Sequence, residues 1–390
     1  MRPAEGTSTV AASVRKKRPA RVLFAALLFI VFYFILFPYP LGREFVVRPK
    51  WAIPVPTSAG PTRQIDKLPA ATAPNNPRDT TVPFQLGDLF GYVQGDGTVL
   101  YSGMAQYRIA LSATGFVSYT RLGTDWILQD MSGRPVTSFS GSGYPFLGPE
   151  GNRIFNVKSD LSGIIELDRN GGALWERDFP TMMTAASLQG DLLLVGLLNG
   201  SMLLLDRKGS PIFEYSPKGS RIPVIVGDAV APDGSLLAAV SGIGPQYLTV
   251  LRRQNAMTPR NATAPGFAVI AILGLPSEYR REVRISFSPD SRCLVLEGAA
   301  GPGLFDPSRG VLRWVSLHGT LAGTAWPGNG RFAALACRDS GHAQLAIEPA
   351  SGVVVYREEF PARELSLATI EGQLLLGWDG QLLRIDVEAM

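Results

Sequence analysis

The stretch Ile164 to Tyr215 states one pattern twice, and that repetition constrains the fold more than any other feature of the chain. IIELDRNGGALW ends at Trp175 and MLLLDRKGSPIF ends at Phe213. Each phrase is an apolar strand, an aspartate, a glycine three residues later, and a second strand with a large aromatic four residues past the glycine. A further strand pair, TAASLQGDLLLVGL, lies between them. Asp130, Asp168 and Asp206 recur 38 residues apart, as do Gly133, Gly171 and Gly209, and Gly310 and Gly352 are 42 apart. Self-similarity near forty residues, with four short strands per period, predicts a ring of small antiparallel sheets, a β-propeller.

From Phe84 onward the pattern is all-β, and seven units can be laid out. The first ends at Phe139, the second runs from Tyr144 to Phe179, and the third from Thr181 to Tyr215. The fourth starts near Arg221 and holds VAPDGSLLAAVSG; the fifth holds VRISFSPDSRCLVLEG; the sixth holds AWPGNGRFAALAC. The seventh, LATIEGQLLLGW then GQLLRIDV, has three strands. The expectation is an all-β, seven-bladed propeller over residues 84–390, with six or eight blades as alternatives. The hairpin segment 90–104, FGYVQGDGTVLYSGM, is expected to supply the missing outer strand and so remove a free sheet edge.

The repeated residues have local explanations. Gly115, Gly133, Gly171, Gly209, Gly310 and Gly352 fall where hairpins need positive φ. Asp130, Asp168, Asp206 and Asp306 stand where a carboxylate accepts hydrogen bonds from the turn backbone, so they read as turn residues rather than catalytic or calcium-binding acids. Trp175, Phe213, Trp314 and Tyr356 are expected to pack between neighbouring blades.

The N-terminal quarter reads differently. Residues 1–21 carry six basic residues and one acidic residue, and residues 22–37 are all apolar. Sixteen residues of helix span about 24 Å against a hydrocarbon core of about 30 Å, and Leu41 and a snorkelling Arg21 extend the reach. Tyr39 and Trp51 are candidates for the far interface. Pro38 and Pro40 stand where signal cleavage wants small residues, so the reading is an uncleaved transmembrane signal anchor over 22–41. Its basic flank places the N-terminus inside and the body on the extracytoplasmic, periplasmic side of the cytoplasmic (inner) membrane. Residues 42–83, rich in proline, read as a stiff linker.

Composition excludes several functions. The whole chain has 37 basic and 33 acidic residues, and beyond residue 21 the counts are 31 and 32. A body without a basic excess lacks the electrostatic footprint of nucleic-acid binding. Two histidines, His318 and His342, and two cysteines, Cys293 and Cys337, form no zinc spacing. Both cysteines sit in second strands among apolar residues, as buried free thiols; a disulfide across blades is the alternative. No Gly-x-Ser-x-Gly elbow accompanies either histidine. The reading therefore assigns no catalytic residue, no metal and no cofactor. Two irregular stretches remain as candidate partner contacts: Arg252, Arg253 and Arg260 in the insertion 252–266, and Arg280 and Arg281 in YRRE between the fourth and fifth units.

IIELDRNGGALWERDF and MLLLDRKGSPIFEY resemble the repeats of pyrroloquinoline-quinone-type propellers, and APDGSLLAAVSG and FSPDSRCLVLEG resemble the hairpins of WD-repeat and related bacterial propellers. The quinone-dependent enzymes carry vicinal cysteines and calcium, which this chain lacks. The propeller subunit of the outer-membrane β-barrel assembly machine is another relative, a non-catalytic scaffold. The resemblance implies a membrane-anchored scaffold that contacts an envelope protein, with ligand binding or quinone-type chemistry in a central channel as the alternative.

Overall fold

A computed structural model of the chain describes residues 24, 26–33, 45–55, 81–120, 124–254, 266–276, 278–299, 301–349, 352 and 354–389. Residues up to Phe45, with the last two residues, form one unit, and Val46–Glu388 form another. In the first unit residues 24 and 26–33 are helical. Among the described residues no helix is long and apolar enough to cross a membrane, which corrects the transmembrane helix expected over 22–41. The rest of that stretch lies outside the described residues.

The second unit is an eight-bladed propeller. Its first strand in sequence is β1 (Phe45–Pro54). Blade I holds β2 (Thr81–Leu86), β3 (Leu89–Gln94) and β4 (Val99–Met104). Blade II holds β5 (Arg108–Leu111), β6 (Gly115–Tyr119), β7 (Asp125–Asp130) and β8 (Pro135–Ser140), and blade III holds β9 (Tyr144–Leu147), β10 (Ile154–Val157), β11 (Gly163–Leu167) and β12 (Ala173–Asp178). Blade IV holds β13 (Met183–Gln189), β14 (Leu192–Leu197), β15 (Met202–Leu205) and β16 (Pro211–Tyr215); blade V holds β17 (Ile222–Val230), β18 (Leu236–Ile243), β19 (Tyr247–Arg253) and β20 (Phe267–Gly274). Blade VI holds β21 (Ile285–Phe287), β22 (Leu294–Leu296), β23 (Gly303–Asp306) and β24 (Val311–Trp314), and blade VII holds β25 (Thr320–Ala325), β26 (Phe332–Asp339), β27 (His342–Pro349) and β28 (Tyr356–Pro361). Blade VIII holds β29 (Leu365–Ile370), β30 (Gln373–Trp378) and β31 (Gln381–Ala389), and β1 is its outer strand.

Blades II to VII are consecutive antiparallel meanders. Their first strands run beside those of their neighbours, as β13 does beside β17, β17 beside β21 and β25 beside β29, so these strands line a central channel. β2 of blade I lies beside β29 and closes the circle. Residues 56–80, which precede β2, lie outside the described residues.

The seven-blade expectation is thereby corrected to eight. Segment 90–104 does not complete the last blade. It pairs with Thr81–Leu86 (Thr81 opposite Gln94, Leu86 opposite Leu89) and forms a sheet of its own. The last blade is completed by Phe45–Pro54, whose prolines had read as linker. Pro49 and Pro54 are tolerated because an outermost strand needs no further ladder partner.

One contact repeats between blades. A large aromatic on an outer strand lies against the turn glycine of the next blade. A Cβ on Gly133 would sit 2.4 Å from the Tyr101 ring, one on Gly171 2.7 Å from Phe139, and one on Gly209 2.5 Å from Trp175. These glycines have φ of 79°, 86° and 73°, so both the backbone and the aromatic neighbour demand glycine. Trp51 on β1 makes the same contact with Gly97, at 3.3 Å. Its Nε1–H donates to Gly95 O (3.0 Å), as Trp175 Nε1–H donates to Arg207 O (3.1 Å). In each case the acceptor lies two residues before the turn glycine. Trp51, a candidate for the membrane interface from sequence, is instead the residue that closes the ring. Phe213 also packs across blades, 5.0 Å from the Phe267 ring. Trp314 lies over Gly298 and Gly303 of its own blade and packs against the apolar cluster that blades V and VI share. Gly115 departs from the expectation. It has no positive φ, and a Cβ there would meet Gln129 O at 2.2 Å, so close strand approach is its reason.

The turn aspartates act as expected. Asp168 Oδ1 accepts from the amides of Asn170 (2.7 Å) and Gly172 (2.8 Å), and Asp206 Oδ1 from Lys208 and Ser210 (both 2.8 Å). Asp130 and Asp306 make equivalent bonds, with Ser132 and Ser308 hydroxyls added.

Trp51→Ala should lower unfolding stability by about 3 kcal/mol, the scale of large aromatic truncations. Trp175→Ala should cost a similar amount, because the two indoles occupy equivalent seams. Denaturant unfolding of the two variants tests this; a Trp51 variant as stable as wild type would show that β1 does not hold the ring.

Candidate functional site

The channel wall is built of first strands, and on most of them small or hydroxyl side chains lace one blade to the next. Thr184 Oγ1–H donates to Ile225 O (2.6 Å), the Val230 amide to Ser187 Oγ (3.2 Å), and the Trp326 amide to Thr369 Oγ1 (2.8 Å). Ser286 and Thr324 hydroxyls meet at 3.4 Å. These bonds tie neighbouring blades together along the wall.

Asp228 is the exception. It stands in β17, IPVIVGDAV, opposite Ala239, in a strand that is buried from Val224 onward. Its residue exposure is 6%, yet among the described residues neither carboxylate oxygen meets hydrogen-bond geometry, the Gly196 backbone being the one group that lowers its pKa. Gly196 on β14 makes room for it, since a Cβ there would meet Asp228 Oδ2 at 3.1 Å and Ile225 Cγ2 at 2.4 Å. Burial pushes the Asp228 carboxyl well above the usual aspartate range, the Glu282 carboxylate raises it further, and the Gly196 backbone offsets this only in part. Glu282 is itself raised, by desolvation first, with Arg284 pulling the other way.

The two acids line a cavity of about 320 Å³, together with Ala185 and Ser187 of β13, Arg284, Ser286 of β21 and Thr324 of β25. Arg284 Nη1–H donates to Ala322 O. A second cavity of about 570 Å³ shares Arg284, Leu321, Gly323 and Thr324 and extends to Gln85, Arg338 and Glu364. The two run together along the channel from blade IV to blade I. Chemically, the first cavity offers an acid held neutral that can donate a hydrogen bond, or, once ionised, receive a cation. Among the described residues no group of three or more histidine, cysteine, aspartate or glutamate side chains is arranged to hold a metal.

The structure separates the arginines singled out from sequence. Arg252 and Arg253 end β19, a third strand, and Arg280 and Arg281 lie between β20 and β21. In an antiparallel meander those two positions fall at opposite ends of the blade. Arg252 Nη2–H donates to Pro307 O in blade VI (2.9 Å), and Arg253 is exposed. Arg260 and most of the insertion lie outside the described residues. Arg281 pairs twice with the buried Glu297 (2.6 and 3.0 Å) and stacks over Tyr279 at 4.7 Å. Arg280 is exposed and has no ion-pair partner among the described residues. Cys293 and Cys337 are free and share one apolar cluster, where burial pushes each thiol up to about 12. The sequence reading passed over Asp228. Its signal was present: a single acid inside the apolar run VIVGDAVA, out of phase with the turn aspartates.

With this ring and channel in view, the class of protein is a closed β-propeller. The chain belongs to a family described as beta-propeller protein, whose model matches residues 14–390. It is similar to an uncharacterized protein of Treponema pallidum (strain Nichols), 21% identical over 377 residues, covering 96% of this chain and 95% of that protein. Among solved structures it is similar to BamB from Moraxella catarrhalis, 16% identical with a TM-score of 0.56, covering 87% of this chain and all of that one. At that identity the likeness speaks for the fold.

Asp228→Asn should stabilise the protein at neutral pH. The folded state binds the Asp228 proton more tightly than the unfolded chain does. This part of the stability is therefore complete at low pH and falls as pH rises from about 3.9 toward the raised folded value. The variant lacks that slope, so its advantage should grow with pH and exceed about 1 kcal/mol near pH 8. Denaturant unfolding at pH 5, 6.5 and 8 measures it; an advantage that is absent or constant with pH would contradict the assignment.

Proposed function

We propose that this chain is a non-catalytic binding propeller that docks an acidic segment of an envelope protein on the face where the blades connect. One observation carries this reading. The connection between β20 and β21 is fixed on both sides of Arg280, while Arg280 itself is exposed with no ion-pair partner among the described residues. On one side Gln246, fully buried, donates through Nε2 to Gly242 O (3.0 Å) and Tyr279 O (3.1 Å) and accepts from the Tyr279 amide (3.3 Å). On the other, Arg281 is locked to Glu297. A cation presented on a pre-set backbone loses little entropy when a partner arrives. Arg221, exposed and without a side-chain partner among the described residues, adjoins it: the Arg221 amide donates to Gly244 O (3.2 Å), and the Gly244 amide to Glu278 Oε1 (3.0 Å). The resemblance to scaffold propellers of the envelope and the likeness in fold to BamB support the same reading.

The location belongs to this proposal. Six basic residues followed by sixteen apolar ones support membrane association through the N-terminal segment, with the propeller outside the cytoplasm. A second reading, a small ligand in the channel, is favoured by the unpartnered carboxylate of Asp228.

Crosslinking and pull-down of the intact chain from its own membranes should recover a reproducible envelope protein. Charge reversal at Arg221→Glu and Arg280→Glu should cut recovery at least about tenfold while leaving unfolding stability unchanged. Equal recovery by the reversed protein, or no specific partner, would sink the docking face. Fractionation tests location separately: the full chain should sediment with membranes and a chain lacking residues 1–41 should not.

A further inference from the structure

We propose that the channel cavity bounded by Asp228, Glu282 and Ser187 binds a small organic cation, a primary amine or guanidinium compound. This site is independent of the docking face proposed above.

Hydroxyls and amides of the neighbouring first strands are bonded to one another across the blades, whereas both Asp228 oxygens are buried and, among the described residues, meet no hydrogen-bond partner. An orphaned carboxylate is costly, and a proton or a bound cation is what relieves it. Glu282 on the same cavity adds a second acid. Arg284, the basic group of this wall, bonds Ala322 O and borders the adjoining cavity as well. The groups facing Asp228 are therefore Gly196 and Ser187 from blade IV and Glu282 and Arg284 from the β21 side, and the acids predominate. That balance selects a cation over an anion.

Size selects an organic cation over a metal. A cavity of about 320 Å³ falls at the lower end of small-molecule pockets, about 300–1,000 Å³. Two carboxylates fall short of the six to eight oxygens that calcium takes, and no larger ligating group exists among the described residues. Ser187, Ser286 and Thr324 supply hydroxyl acceptors for the remaining N–H groups of an ammonium or guanidinium.

Binding of a cation favours the ionised carboxylate, so it is linked to release of the Asp228 proton. Affinity should rise with pH as the carboxyl ionises.

Calorimetric titration of the full chain with putrescine, L-lysine and L-arginine at pH 6 and pH 8 tests this. The expected result is one-to-one binding of at least one probe, tighter at pH 8. Asp228→Asn should weaken it at least about tenfold and abolish the pH dependence. Glu282→Gln, at a more open position, should weaken it less and serves as the readout if the Asp228 variant does not fold. Arg280→Glu should bind the probe normally, which separates this site from the docking face. Absence of binding by all three probes at millimolar concentration would overturn the proposal. Equal binding of 1,4-butanediol in place of putrescine, or binding unaffected by both acid substitutions, would do the same.

Discussion

The ring depends on a single seam, in which an outer-strand aromatic is held beneath the turn glycine of the following blade. A small sheet has two apolar faces and no partner within itself, so each blade is stable only while its neighbours cover it. The indole or phenyl ring supplies the area, the glycine supplies the space, and an indole N–H adds direction. Tyr101, Phe139 and Trp175 repeat the arrangement along the first half of the chain, and Trp51 joins the last blade to the first. A circle built of such seams has no weak end provided that the closing one is made.

Charge inside the ring follows a consistent logic. Arg153 and Glu166 are both buried, but they pair bidentately (2.9 and 2.6 Å), Trp175 Nε1–H donates to the same carboxylate (2.7 Å), and Arg153 lies over the Phe155 ring. Glu297 is held by Arg281 and Glu348 by Arg313 of the preceding blade. Each such acid has a cation reaching it, the condition under which buried charge is tolerable. Asp228 has none. Within one molecule the structure thus holds two kinds of buried acid: those paired with an arginine, and a solitary one whose burial pushes its carboxyl well above the usual aspartate range.

Much of the architecture was legible in the sequence because the repeat is carried by residues whose roles are local. An aspartate four residues before the amide it accepts from, a glycine at positive φ and an aromatic four residues later are short-range events, and the turns at 130–134, 168–172 and 206–210 formed as read. The blade count failed because closure is long-range. Nothing within Phe45–Pro54 announces that its partner is β31, and its prolines imitate a linker until the strand is seen at a sheet edge. The channel site was hidden for a similar reason. Asp228, Gly196 and Glu282 come from three separate elements, and only the ring brings them together. Arg252 and Arg280 emerge at opposite ends of a blade, which sequence proximity within an insertion or a loop does not reveal.

Closure by β1 also sets the order in which the molecule can be completed. The strand made first must wait for the strand made last, since β1 finds its place only beside β31. Until then the nascent chain carries an unpaired edge at each end, and the hydrophobic faces of blades I and VIII lack their common neighbour. Contacts of such sequence separation form slowly, because a very long loop must close before they contribute. Loss of β1 bares β31 as an outer edge, and loss of β31 leaves β1 without a ladder partner, so damage at either end of the propeller opens the same sheet.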